Sequence, residues 1–72
     1  MSQRYAVVFE HDENNWAAYV PDLPGCITTG ETLEETERNI QEAVRGHLAV
    51  LQEFGEPVPP PTSVAKEIEI PS

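Results

Sequence analysis

The sequence predicts an α+β domain with the element order βββαβ, and three patterns carry that prediction. Three short β-branched or aromatic runs come first, separated by turn-forming residues. A long amphipathic segment follows and predicts a single helix. A final alternating run predicts a last strand, and 72 residues suit one domain.

The first three strands are predicted at residues 4–10, 16–20 and 26–30. "RYAVVFE" and "WAAYV" flank the polar "HDENN", which predicts a β-hairpin with a five-residue loop. "PDLPG" then interrupts the chain, because proline lacks the N–H that a strand ladder needs, and "CITTG" resumes the pattern. Short connections of this kind predict an antiparallel meander.

The helix is predicted over residues 33–54, where apolar side chains recur at steps of three and four. Thr32 is the expected N-cap and Glu35 completes a capping box, while Gly55 provides a left-handed stop. The segment 64–70, "VAKEIEI", has one mostly apolar and one polar face, which is typical of an edge strand.

The composition is strongly acidic, with 13 acidic and 4 basic residues and a net charge of −9. Such a chain is repelled by nucleic acids and anionic membranes and suits a basic partner. No apolar run approaches a signal peptide or a membrane span, so a cytoplasmic location is expected. One cysteine excludes an internal disulfide, which leaves oligomerisation as the first candidate for extra stability.

Motifs for catalysis are missing, including the phosphate-binding, zinc-protease and hydrolase patterns. Cys26 is interpreted as a small buried hydrophobe rather than a nucleophile, and His47 as a packed histidine on the apolar helix face. His11, Asp12 and Glu13 adjoin in the hairpin loop, but three neighbouring side chains do not converge on a metal unaided. No enzyme activity, cofactor or metal is therefore predicted.

The predicted sheet carries apolar side chains on both faces, whereas one helix covers only one face. A slip of one residue in register exchanges the faces but leaves one of them open in either case. We therefore expect the open face, or a sheet edge, to meet another chain. The candidates for self-association are the small residues Ala6, Val8 and Ala18.

Five segments in order resemble the HicB antitoxin family: "YAVVFEHDEN", "YVPDLPGC", "TTGETLEET", "NIQEAVRGHL" and "EFGEPVPPP". "PDLPGC" followed by "GETLEE" is the most specific part. Asn14 and Asn15 stand where the family usually has a hairpin glycine, and asparagine tolerates left-handed geometry. Thr36 stands where alanine is common. The matching residues expected to be structural are Pro21, Pro24, Gly25, Cys26, Gly30, Thr32 and Glu35.

The resemblance implies a partial ribonuclease-H-like fold that lacks the nuclease's carboxylates. It implies an antitoxin that binds and sterically inhibits a basic HicA-type toxin, a small ribonuclease that cleaves mRNA. Residues expected to face that partner are Glu10, Asp12, Glu13, Trp16 and Asp22, although Asp22 also suits a turn-capping role.

Self-association as a dimer or tetramer is also expected. Many family members carry a C-terminal DNA-binding domain, and nothing up to Ser72 resembles one, so direct nucleic-acid binding is not expected. The alternative function is an orphan, self-assembling module that binds a protein or a ligand and has no toxin partner.

Overall fold

The computed structural model describes residues 3–71, and within them three strands precede one helix. The sheet is antiparallel in the order β1-β2-β3, which confirms the predicted βββα order. Each strand is shorter than predicted, because the ladder holds only residues that pair with a neighbour, and the helix ends one residue earlier, before its C-cap Phe54. The bounds are β1 Val8–His11, β2 Trp16–Tyr19, β3 Ile27–Gly30 and α1 Leu33–Glu53.

The β1–β2 loop has four residues, 12–15, because His11 pairs with Trp16 and belongs to the ladder. The backbone N–H of Asp12 donates to the Asn15 carbonyl at 2.8 Å and closes the loop. No non-glycine residue in the described chain has a positive φ, so Asn14 and Asn15 do not adopt the left-handed geometry considered above. A four-residue loop does not require it.

The "PDLPGC" stretch forms two consecutive tight turns between β2 and β3. The Leu23 N–H donates to the Val20 carbonyl at 3.1 Å, and the Cys26 N–H donates to the Leu23 carbonyl at 3.0 Å. Each proline therefore occupies the second position of a turn, where its fixed φ is favourable. Gly25 follows with a φ of 84°, which L-residues rarely adopt. The two turns enclose Leu23, which is fully buried.

The core lies between the helix and one face of the sheet. Its buried apolar residues are Ala18, Val20, Leu23, Cys26 and Ile40. The helix packs mainly over β3 and β2, so β1 is the least covered strand. Ala18, which is predicted for self-association, is fully buried in this core in the single chain.

The junction between β3 and α1 is tightly packed. A Cβ at Gly30 would lie 2.9 Å from the backbone nitrogen of Thr36, so only glycine fits this approach. The Thr32 hydroxyl accepts from the Glu35 N–H at 3.0 Å, which confirms the predicted N-cap. The Glu35 carboxylate reaches back to the N–H of Glu31, one residue before the N-cap position that a standard capping box uses.

The helix ends in a Schellman motif. Gly55 has a φ of 66°, as the predicted left-handed stop requires. Its N–H donates to the Gln52 carbonyl at 3.1 Å, and the Glu56 N–H donates to the Leu51 carbonyl at 2.8 Å.

The segment 64–70 forms no strand in this chain, so the predicted fifth element is not confirmed. The connector before it passes Tyr5, whose hydroxyl donates to the Pro59 carbonyl, and then reaches the β2–β3 turn. Residues 64–70 are exposed and join no ladder, and an alternating sequence without a neighbouring strand does not become a strand itself. The ribonuclease-H-like relationship, which depends partly on that strand, stays a prediction.

Candidate functional site

Acidic side chains collect at one end of the sheet. Because β2 is antiparallel to both neighbours, Trp16 pairs with His11 on one side and with Gly30 on the other. The hairpin loop and the β3–α1 turn therefore lie at the same end of the molecule. We call the exposed carboxylates at this end the acidic pole: Glu10, Asp12, Glu13, Glu31 and Glu34.

An aromatic pair adjoins the acidic pole. The rings of His11 and Trp16 stack with centroids 4.4 Å apart and an interplanar angle of 13°. Trp16 is half-buried, so it presents part of a large ring whose orientation the stack fixes. Amphipathic aromatic groups of this kind are common anchors in protein interfaces.

Four of the five predicted partner-facing residues thus lie together, namely Glu10, Asp12, Glu13 and Trp16. Strand alternation places Glu10 on the face opposite Trp16, because Glu10 pairs with Ala17. The charges of the pole therefore surround the end of the sheet rather than one face.

Asp22 lies elsewhere, in the β2–β3 turn at the opposite end of the sheet. Its carboxylate accepts hydrogen bonds from the N–H and hydroxyl of Thr62, at 3.0 and 3.1 Å, and from both groups of Ser63, each at 2.9 Å. The Ser63 N–H is the main cause that lowers the pKa of Asp22, with smaller contributions from the other donors against a desolvation penalty. Asp22 therefore fastens the C-terminal connector, and both carboxylate oxygens are engaged.

The sheet face opposite the helix is open and partly apolar. Cross-strand pairing aligns Val8, Tyr19 and Ile27 in one row on this face. Tyr19 is 39% and Ile27 is 64% exposed. Val8 and Ala6, both predicted for self-association, are half-buried.

A second apolar surface lies between the β1 side of the sheet and the helix. It is a groove of about 990 Å³, which we call the β1–α1 groove. It exists because the helix packs over β3 and β2 and leaves the β1 side less covered. Its apolar lining is Tyr5, Val7, Phe9, Ile40, Val44 and Leu48, and its polar lining includes Arg4, Arg45, Glu37 and Gln41.

The side chains that could take part in catalysis or metal binding are not arranged for either. Burial raises the pKa of the Cys26 thiol, which disfavours the nucleophilic thiolate. In the part of the chain that the structure describes, no three His, Cys, Asp or Glu side chains are grouped to hold a metal ion. No helix of that part is long and apolar enough to cross a membrane.

The fold and these surfaces define a class of small α+β domain, in which one helix covers a three-stranded sheet and leaves an acidic end and two partly apolar surfaces. The family model described as a HicB-like antitoxin of bacterial toxin–antitoxin systems matches residues 5–72. The chain therefore belongs to the HicB-like antitoxin family.

Relatives and a solved structure agree with this assignment. "Antitoxin HicB 2" of Photorhabdus laumondii is 35% identical over 99% of this chain and 52% of its own length. A UPF0150 protein of Thermoplasma acidophilum is 39% identical over 78% of this chain and 83% of its own. The crystal structure of TTHA0281 from Thermus thermophilus has a TM-score of 0.70 at 38% identity, covering 92% of this chain and 82% of that one.

The chain spans about half the length of the Photorhabdus antitoxin that it matches.

Sequence reasoning missed three features of these surfaces. Glu31 and Glu34 were not predicted to belong to this surface, although antiparallel pairing brings them beside the hairpin loop. The contact between Asp22 and residues 62–63 joins positions 40 residues apart and has no local pattern. The β1–α1 groove depends on where the helix packs across the sheet, which apolar periodicity alone does not specify.

Proposed function

We propose that this chain is an antitoxin that binds and sterically inhibits a small basic HicA-type ribonuclease in the cytoplasm. The observation that carries the proposal is the match to the antitoxin family model over residues 5–72. The physical properties of the chain support it: the net charge is −9, and five of the thirteen acidic residues form the acidic pole.

The acidic pole is the surface that a basic partner approaches first. Opposite charges steer encounter and raise the association rate, whereas buried apolar contacts hold the complex together. The stacked Trp16 provides an apolar anchor next to the charges. In this mechanism the antitoxin covers the toxin's RNA-binding surface and active site, and inhibition needs no catalysis by the antitoxin.

Self-association as a dimer or tetramer is the second part of the proposal. The row formed by Val8, Tyr19 and Ile27 is one candidate surface, because two of its side chains are well exposed. A chain of 72 residues has a small core, and association buries apolar surface that the core leaves uncovered.

Co-expression tests the antitoxin role directly. The probe is the product of a short basic open reading frame adjacent to this gene, expressed with and without this chain. We expect the probe alone to arrest growth, and this chain to relieve the arrest and to co-purify with it. Unrelieved arrest with no complex, or no adjacent frame of that kind, contradicts the antitoxin role and favours an orphan binding module.

Charge reversal tests the acidic pole. The double variant Asp12→Lys with Glu13→Lys should slow association with the basic partner by about tenfold or more at low salt, because it removes the steering charge. The matched control is Glu53→Lys with Glu56→Lys, which changes the net charge equally at the exposed far end of the helix. Equal slowing in both variants would mean that net charge alone acts and that the pole is not the contact surface.

A further inference from the structure

We propose that His11 is a positioning residue for partner binding: its ring holds Trp16 in the orientation in which the indole docks on the basic partner. His11 acts through Trp16 rather than through a contact of its own, and it controls how long the complex lasts. This inference rests on the proposed function, because it assigns a role at the partner-binding end of the sheet to a residue outside the predicted partner-facing set.

Trp16 lies in a cross-strand row in which its neighbours are unequal in size. It pairs with His11 on β1 and with Gly30 on β3. Gly30 has no side chain, and the atoms of Thr36 occupy the space where one would lie. The next residue of β2 on the same face is Ala18, whose side chain is small. Among these strand neighbours of Trp16, only His11 therefore offers a surface large enough to hold an indole.

The contact between the two rings has the geometry of a stacked pair. The centroids are 4.4 Å apart and the planes are inclined by 13°, a separation at which aromatic side chains attract each other. Directly opposed residues of an antiparallel pair project from the same face, so the ladder itself brings His11 and Trp16 together. His11 is exposed and Trp16 is half-buried, so the pair lies at the surface, where a partner reaches it.

His11 does not combine with the carboxylates that follow it in the hairpin loop. The Oδ1 atom of Asp12 accepts a hydrogen bond from the Glu13 N–H at 2.8 Å, so this carboxylate is engaged within the loop. No group of three metal-binding side chains occurs in the part of the chain that the structure describes. The contact that the structure gives the His11 ring is the stack on Trp16.

A ring that is held before binding makes a more durable contact than a free one. A side chain that is free in the unbound protein loses rotational freedom when it enters an interface, and this loss weakens binding. Preorganisation of this kind mainly slows dissociation, whereas exposed charges mainly change the rate of encounter. His11 is therefore expected to act on the dissociation rate, and Asp12 and Glu13 on the association rate.

Surface plasmon resonance with the basic partner of the co-expression test measures both rates. We expect His11→Ala to raise the dissociation rate about threefold to tenfold and to leave the association rate within about twofold of the parent. The matched variant His11→Phe keeps an aromatic ring and should return the dissociation rate to within about twofold of the parent. In a chain that already carries Trp16→Ala, His11→Ala should have no further effect, because His11 acts through the indole.

The orientation of the ring is also measured without a partner. The chain has one tryptophan, so time-resolved fluorescence anisotropy of the unbound chain reports the local motion of Trp16 alone. We expect His11→Ala to add a fast component to the anisotropy decay, and the parent and His11→Phe to lack it. The same fast component in the parent would mean that the stack does not hold the ring, which overturns the inference.

Three kinetic results also overturn it. His11→Ala leaves the dissociation rate unchanged, or it raises this rate equally with and without Trp16, or His11→Phe fails to restore the rate. The last result would mean that the imidazole itself contacts the partner. In all three cases the unmodified chain still binds the partner and the proposed function stands. If the unmodified chain does not bind the basic partner at all, the proposed function fails and this inference falls with it.

Discussion

Hydroxyl and carboxylate side chains fix both the β3–α1 junction and the start of the C-terminal segment, residues 64–70, but the junction uses local contacts and the segment uses a distant one. At the junction, Thr32, Glu35 and Thr36 bond to backbone groups no more than four residues away, and the Thr36 hydroxyl is satisfied although its side chain is fully buried. The C-terminal segment depends on one carboxylate, Asp22, at its beginning and makes no ladder beyond Ser63.

The difference shows that contacts between residues close in sequence can be recognised from the sequence, whereas contacts between distant residues cannot. A cap needs a few residue types at fixed spacing, so the chain itself completes it. A strand needs a neighbouring strand, so alternation of apolar and polar residues shows that a segment can pair but not which strand it pairs with. The junction is complete within one chain, whereas the C-terminal segment has the pattern of a strand but pairs with no strand of the described chain.

Replacing Gly30 is expected to have the largest effect on stability, because a side chain at this position clashes with Thr36 at the start of the helix. Gly30→Ala would push a Cβ against the Thr36 backbone, and we expect a loss of about 2 kcal/mol in the free energy of unfolding. Urea denaturation followed by Trp16 fluorescence measures it. The control Gly46→Ala has open space in the exposed part of the helix and should stabilise the fold by about 0.5–1 kcal/mol. Equal stability of the two variants contradicts the close approach.

Removing the N-cap is expected to have the next largest effect. Thr32→Ala deletes the acceptor for the Glu35 N–H and should cost about 1 kcal/mol of stability. The control Glu42→Ala changes an exposed position in the middle of the helix and should stay within about 0.5 kcal/mol of the parent. If urea midpoints show the same loss in both variants, the missing cap is not the cause of the loss.

The sequence predicted the elements that local rules determine. The element order βββα, the Thr32 cap and the left-handed Gly55 follow from spacing and residue type. The final strand, the role of Asp22 and the burial of Ala18 depended on contacts between distant residues. For the candidate site, the hairpin charges were found from sequence, but Glu31 and Glu34 joined them only through strand pairing.

Protonation of Asp22 tests how the C-terminal segment is held, because this carboxylate binds Thr62 and Ser63 directly before it. The pKa of this carboxyl is lowered in the folded chain, mainly by the Ser63 N–H. Its contribution to stability is therefore complete above the ordinary value of 3.8 and is lost as the pH falls through the lowered value. The cap at Thr32 uses a hydroxyl as acceptor and has no such pH dependence.

We expect the amide resonances of Thr62 and Ser63 to shift together with the titration of Asp22, on a midpoint below 3.8. The effect on global unfolding should be small, because the carboxylate is in contact with solvent and the residues beyond Ser63 pack on little. Asp22→Asn is the matched control, since it keeps the shape and abolishes the titration. If both proteins show the same pH profile at residues 62–63, another group controls the segment, and the connector does not depend on this one carboxylate.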